Sequence, residues 1–161
     1  MSELNSTQVH ETLRYDQETG NFIWLVSKGS KKAGEIAGTI NDDGYIIIRV
    51  NGKRYMAHRI AWFLLKGKMP DGDIDHINGN RKDNRIENLR DVSRSVNLQN
   101  QRSPRNGNKY LGVTWDKRNK KWFSQITVGH KHINIGRFNT AEEAHAAYVA
   151  TKRKLHEGCT I

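Results

Sequence analysis

Between Leu13 and Leu25, and again between Glu35 and Val50, apolar and polar residues alternate and are interrupted by clusters of Gly, Asn and Asp. Successive side chains of a strand point to opposite faces, so this alternation predicts short antiparallel strands. The clearest pair is Tyr45-Ile-Ile-Ile-Arg-Val50 and Lys53-Arg-Tyr-Met-Ala57, separated by Asn51-Gly52. Asn-Gly accepts the positive φ angles of a type I′ turn, which makes this a hairpin. The period then changes: within His58 to Lys66, Ile60, Ala61, Phe63, Leu64 and Leu65 fall around helical spacing, and Gly67 and Pro70 stop the run. A short buried helix is predicted. Further on, Leu111 to Trp115, Lys121 to Val128 and Lys131 to Phe138 read as three strands. Thr140-Ala-Glu-Glu143 then spells a capping box, and the helix it opens runs toward Leu155 and stops near Gly158. Its Ala144, Ala147, Tyr148, Thr151 and Leu155 share one face, enough to cover a three-stranded sheet. The fold class expected is α+β.

The longest uninterrupted apolar run, Ile60 to Leu65, is far short of the roughly 20 residues that span a bilayer, so no membrane helix is expected. Met1-Ser-Glu-Leu-Asn-Ser6 has no basic stretch followed by an apolar one, and the expected location is the cytoplasm. Among 161 residues there is one cysteine, Cys159. That excludes an internal disulfide and the usual structural zinc centres, which need at least two thiolates.

Charge separates the chain into parts. The formal net charge is +10; residues 1–99 hold 15 Lys+Arg against 13 Asp+Glu, and residues 100–161 hold 12 against 4. The last third carries the field, and a field of this sign suits nucleic acid, an anionic membrane surface or an acidic protein. Gln99 to Lys109 contains no apolar residue, one of only two prolines (Pro104), Gly107 and three asparagines. It reads as a linker. The division expected is therefore 1–98, with N-terminal strands leading into the polar segment described next, a basic polar linker at 99–109, and a module at 110–161.

Gly72 to Leu98 is too polar for ordinary core structure. It is not an EF-hand loop: counting from Asp73, Ile77 occupies the fifth position and Gly79 comes one place late. Upstream, Gly29-x-x-x-x-Gly34 begins like a phosphate loop, but Glu35-Ile36 replaces the Lys and Ser/Thr that would bind phosphate and Mg²⁺.

Tyr55 to Asn97, with Ala57-His-Arg59, Asp75-His-Ile-Asn-Gly79, Asp83-Asn-Arg-Ile-Glu-Asn-Leu89 and Asn97, resembles the HNH endonucleases, specifically the phage-type homing endonucleases of the ββα-metal class. The resemblance implies a ββα-metal motif in which His76 is the general base and Asn88 fixes the loop that holds it. It implies Asp75 and Asn97 as ligands of one divalent ion, Mg²⁺ or Mn²⁺. The third position of the motif is Asn here rather than His, and a carboxamide oxygen is an adequate ligand for a hard cation. The chemistry is coherent in its own right. Phosphodiester cleavage needs an activated water and relief of charge on the leaving oxygen, which one imidazole and one oxygen-ligated cation supply. Asp75 and His76 are neighbours, and both can reach one phosphate only if their strand ends or bends there; Asn78-Gly79 permits a bend. His58, at the start of the apolar helix, is read as a packed histidine with a second active-site role as the alternative. Asp73 and Asp83 are read as solvated carboxylates, Asp73 being the reserve ligand.

Lys109 to about Glu157, with Tyr110-Leu-Gly-Val113, Lys121-Trp-Phe-Ser-Gln-Ile126, Ile133-Asn-Ile-Gly-Arg-Phe138 and Thr140-Ala-Glu-Glu-Ala144, resembles the AP2/ERF DNA-binding domain. That implies a three-stranded antiparallel sheet lying in the major groove with a helix behind it. Alternation independently turns Trp122, Ser124, Ile126 and Val128, with Ile133 and Ile135, toward the helix. It leaves Lys121, Phe123, Gln125 and Thr127, with His132 and Asn134, on the other face to meet bases and backbone. Trp115 is a candidate for stacking on sugar or base, with a core position as the alternative. Lys117, Arg118 and Lys131 at the turns, and Arg105 and Lys109 in the linker, are candidates for phosphate contacts. The expected partner is double-stranded DNA, with no obligate protein partner evident, and the expected activity is metal-dependent cleavage at preferred sites. The alternatives are a non-catalytic DNA-binding regulator and, less well supported by a groove-reading module, an RNA-directed protein.

Overall fold

The computed structural model describes residues 5–27, 29–101, 104, 109–129 and 131–160. The chain forms two compact units, Met1–Val92 and Ser93–Ile161. No helix among the described residues is long and apolar enough to cross a membrane.

In the first unit, helix α1 (Ser6–Thr12) leads into a two-stranded pair of β1 (Leu13–Tyr15) and β2 (Phe22–Trp24). A three-stranded sheet follows, β3 (Thr39–Ile40), β4 (Ile46–Val50) and β5 (Lys53–Met56), and then α2 (Ala57–Lys66). The predicted hairpin is present: Val50 pairs with Lys53, and Asn51 and Gly52 both have positive φ, 47° and 81°. Helix α2 ends where expected, at a left-handed Gly67 whose N–H bonds the Phe63 carbonyl. Helix α1 has no apolar period that could announce it. It is held by the Asn5 side chain capping Thr7 N–H and by a single buried residue, Val9. The core gathers Leu13, Phe22, Trp24, Ile48, Val50 and Ile60, among others, from these elements.

The polar segment forms a second two-stranded pair, β6 (Asp73–His76) and β7 (Leu89–Val92), joined through a 3-10 turn at Ile86–Asn88. Contrary to the expectation from its composition, it enters the core. Ile74 and Leu89 are buried in the hydrophobic cluster, and Asp75, His76, Asn84 and Asn88 are buried beside them.

The second unit begins with α3 (Arg94–Gln99), capped by the Ser93 hydroxyl, and continues with a sheet in the order β10-β9-β8. These strands are β8 (Val113–Asp116), β9 (Lys121–Val128) and β10 (Lys131–Phe138), with α4 (Ala141–Leu155) packed against them. The Thr140–Glu143 capping box is complete. The buried stripe of α4 differs from the one expected. It runs Ala141, Ala144, Tyr148 and Lys152, while Leu155 is 43% exposed. Lys152 can occupy a core position because its aliphatic stem packs while its ammonium donates to the Gln101 carbonyl.

Candidate active site and nucleic-acid face

Strand β6 ends at His76, and the chain turns back at once: Gly79 N–H bonds the His76 carbonyl and Ile77 N–H bonds the Asn88 carbonyl. The register sets Asp75 across from Arg90 and His76 across from Leu89. Alternation therefore sends His76 with Ile74 and Leu89 toward the core, and Asp75 with Arg90 to the opposite face.

On the core side His76 meets residues from distant parts of the chain. Its ring stands edge-on to His58 of α2, centroids 5.1 Å apart and planes at 89°, and the Tyr45 ring lies 5.3 Å from His58 and 5.8 Å from His76. The Arg81 guanidinium sits 4.9 Å above Tyr45 and donates to the Asp43 carbonyl, tying the loop after β6 to the turn before β4. Burial pushes the His58 imidazole down to about 3, aided by the neighbouring His76 and Arg59 charges. Its Nδ1 has no hydrogen-bond partner among the described residues. Burial also lowers His76, against the opposing pull of Asn84 and Asp75. Both imidazoles are neutral at neutral pH.

The Nε2 of His76 lies 3.4 Å from Asn84 Oδ1. Asn84 is 1% exposed, and its amide orientation is set because Nδ2 donates to the Lys82 carbonyl. The Asn84 backbone is clamped in turn by Tyr15, whose hydroxyl donates to its carbonyl, and by Gly20. A Cβ at Gly20 would lie 2.5 Å from Arg85 N and 2.8 Å from Asn84 C, so the turn between β1 and β2 approaches this loop only as glycine. Asn88 stitches the same loop from the other side. Its Oδ1 accepts from Asn78 N–H at 2.9 Å and its Nδ2 donates to the Asp83 carbonyl at 2.8 Å. Asp83, expected to be solvated, is instead a node of the loop. It takes a two-pronged pair from Arg85 and a bond from Asn78 Nδ2, and these donors hold its carboxyl down at about 2.

Asp75, 7% exposed, accepts Arg90 Nε at 2.9 Å and Nη2 at 2.7 Å, both on Oδ2. Asp73 lies two residues back on the same face of β6. No group of three or more His, Cys, Asp or Glu able to hold a metal ion is present among the described residues. A Mg²⁺-type ion does not need one, since one or two protein oxygens with substrate phosphates and waters complete its shell. A carboxylate such as that of Asp75 is a donor of the kind such an ion takes. Asn97 lies on α3, in the second unit.

The second unit carries a different kind of surface. Its register places Phe123, Gln125 and Thr127 of β9 on one face with His132 and Asn134 of β10, and Lys121 with Asp116 at one end. Thr127 Oγ1 and His132 Nδ1 are 2.9 Å apart. Ser124 and Ile126 point the other way and are buried. Lys117, Arg118 and Lys131 are exposed beside the sheet. Two candidates lie elsewhere. Trp115 pairs with Trp122 and so shares the helix-side face, 46% exposed, its ring 5.2 Å from that of Trp122. Lys109 is held beside α4 by Glu142 at 3.6 Å, and both residues line a cleft of about 670 Å³ at that side of the sheet. Arg105 lies outside the described residues.

Sequence reading did not single out Arg90, Tyr45, Asn84, Arg81 or Arg137. Arg90 is visible only once Asp73–His76 and Leu89–Val92 are paired. Arg137 was hidden by strict alternation from Ile133 and Ile135, which turns it toward the helix; a register shift between Asn134 and Gly136 pairs it instead with Phe123.

The family model described as HNH endonuclease matches residues 55–99, and the model described as AP2 domain matches residues 108–158. Protein 3.8 of Escherichia phage T7 is 32% identical over 101 residues, which are 62% of this chain and 83% of that protein. A solved structure described as DNA binding and cleavage by the HNH homing endonuclease I-HmuI is similar at 20% identity and a TM-score of 0.43, over 91% of this chain and 88% of that one.

Proposed function

The chain belongs to the HNH endonucleases and carries an AP2 domain, and from that premise we propose that it is a metal-dependent endonuclease that cuts double-stranded DNA at preferred sites, with the second unit as its anchor. The observation that carries this reading is the state of His76. Its imidazole is kept neutral by burial, and it sits at a strand end in a loop pinned by Asn88 and Asn84. A neutral imidazole can take a proton from water. Asn88 acts at one remove, holding Ile77 and Asn78 so that His76 keeps its place. Asp75 is the oxygen donor of the first unit that we assign to a divalent ion, Mg²⁺ or Mn²⁺. When bound, that ion supplies relief of charge at the phosphate and the leaving oxygen. The exposed polar face of the sheet, with Lys117, Arg118, Lys121 and Lys131 around it, supplies donors for bases and phosphates.

Incubation of supercoiled plasmid with Mg²⁺ or Mn²⁺, against EDTA, tests this. Relaxed or linear product is expected only with metal, and not with His76→Ala. Product of equal yield in EDTA, or from His76→Ala, overturns the catalytic assignment. The Arg90–Asp75 ion pair favours a second reading, a DNA-binding protein without catalysis. A shift of DNA in a gel with no cutting under any metal would select it.

A further inference from the structure

The side chain that alternation had hidden stands apart from the rest of the open face in how it is held. Arg137 lies on β10 and Asp116 on β8, with Phe123 of the central strand between them. The guanidinium crosses the sheet over the Phe123 ring, 5.3 Å from its centroid, and Nε donates to Asp116 Oδ2 at 2.9 Å. Asp116 is itself immobilised. Its Oδ1 accepts from the Arg118 and Asn119 N–H groups, and its Oδ2 also accepts from Asn119 Nδ2 at 2.7 Å. These bonds, Asn119 first and Arg137 next, hold the carboxyl well below the usual range, so the anchor stays charged. The Arg137 side chain remains 45% exposed, and its Nη1 and Nη2 have no partner among the described residues.

We propose that Arg137 is a further DNA-reading residue, presenting its two terminal nitrogens to a guanine edge in the major groove, with Asp116 and Phe123 as positioning residues. The proposal rests on the reading that this face of the sheet meets DNA. A guanine offers two acceptors, N7 and O6, to the parallel donors of a guanidinium, and this is the commonest specific contact of arginine with a base. Tethering at Nε and stacking on Phe123 remove freedom that a loose surface arginine would lose on binding, so the fork is set before DNA arrives. A compact ammonium at the same place would keep the charge and lose the fork.

The test selects binding sites from a randomised double-stranded DNA library with the full chain, in EDTA so that cleavage plays no part. Arg137→Lys, Arg137→Ala and Gln125→Ala are compared with the parent protein. Expected for Arg137→Lys is a loss of preference for one G·C pair of about 5- to 150-fold, other positions unchanged, with the slope of log K against log salt preserved. Arg137→Ala should lose the same preference. Uniform weakening on all sequences with Arg137→Ala, and normal selectivity with Arg137→Lys, would make Arg137 a phosphate contact and overturn the proposal. Unchanged selectivity in both Arg137 variants beside a changed Gln125→Ala would also overturn it, leaving the DNA-facing sheet intact. No change in any variant, or no base preference in the parent, would remove the underlying reading along with it. Thermal melts of each variant separate these outcomes from loss of fold.

Discussion

His76 in the first unit is 4% exposed and Asn88 6%, whereas Lys121, Gln125, Thr127, His132 and Asn134 in the second unit are all exposed. The two regions solve different problems. On the proposed function, His76 must be held in one charge state and one orientation, and burial among hydrogen-bonded amides does both. A face that meets a polyanion gains from exposed donors standing on a rigid sheet, whose own core lies on the other side. On that reading, chemistry is tied to stability in the first unit and separable from it in the second.

The largest effect is expected at the imidazole. His76→Ala should lower the cleavage rate by about 10²- to 10⁴-fold while leaving DNA affinity close to that of the parent, measured by plasmid nicking and gel shift. A matching loss of affinity would place His76 in binding rather than proton transfer. In the second unit, Ile126 is 2% exposed on the helix side of β9, and Ile126→Ala should cost about 2–5 kcal/mol in a denaturant melt.

Asn88→Ala removes the partners of Asn78 N–H and the Asp83 carbonyl. A cost of about 1–3 kcal/mol is expected, with a fall in cleavage, because two polar groups lose their bonds in a half-buried loop. If cleavage fell with no change in melting, Asn88 would touch the reacting groups rather than hold the loop.

The buried histidines give the first unit a pH dependence of defined sign. The His58 pKa is about 3 in the folded protein and about 6.5 when unfolded, so between those values the unfolded state binds more protons. Stability is full above pH 6.5 and falls as the pH drops through that window, by about 1.4 kcal/mol per pH unit at its steepest for one proton. His76, also lowered, acts in the same direction. Urea melts of His58→Gln between pH 6.5 and 4.5 should show a flatter slope than the parent; an equal slope would mean His58 is accessible to protons in the fold.

The smallest stability effect belongs to Gln125→Ala, within about 0.5 kcal/mol, with any consequence confined to site preference. Were it to melt the second unit as deeply as Ile126→Ala, the separation of recognition from stability would be lost.

Local pattern was enough to determine the hairpin at Asn51-Gly52, helix α2, the three C-terminal strands and the Thr140 capping box, because each follows from dihedral preference and side-chain period within a few residues. The same local strings carried the HNH and AP2 resemblances. The partners came from elsewhere. His58 reaches His76, Tyr15 reaches Asn84, and Arg90 pairs with Asp75 only through strand register and helix packing between distant segments. Composition misled over Gly72 to Val92, since a polar segment can be buried when its groups are hydrogen-bonded, as Asn84 and Asn88 are, whereas α3 beyond it has no buried residue. One inserted residue in β10 then reversed the face of Arg137, and Lys152 took the core position expected of Leu155. Period assigns faces only while pairing stays regular, and desolvation is decided by what the fold brings alongside.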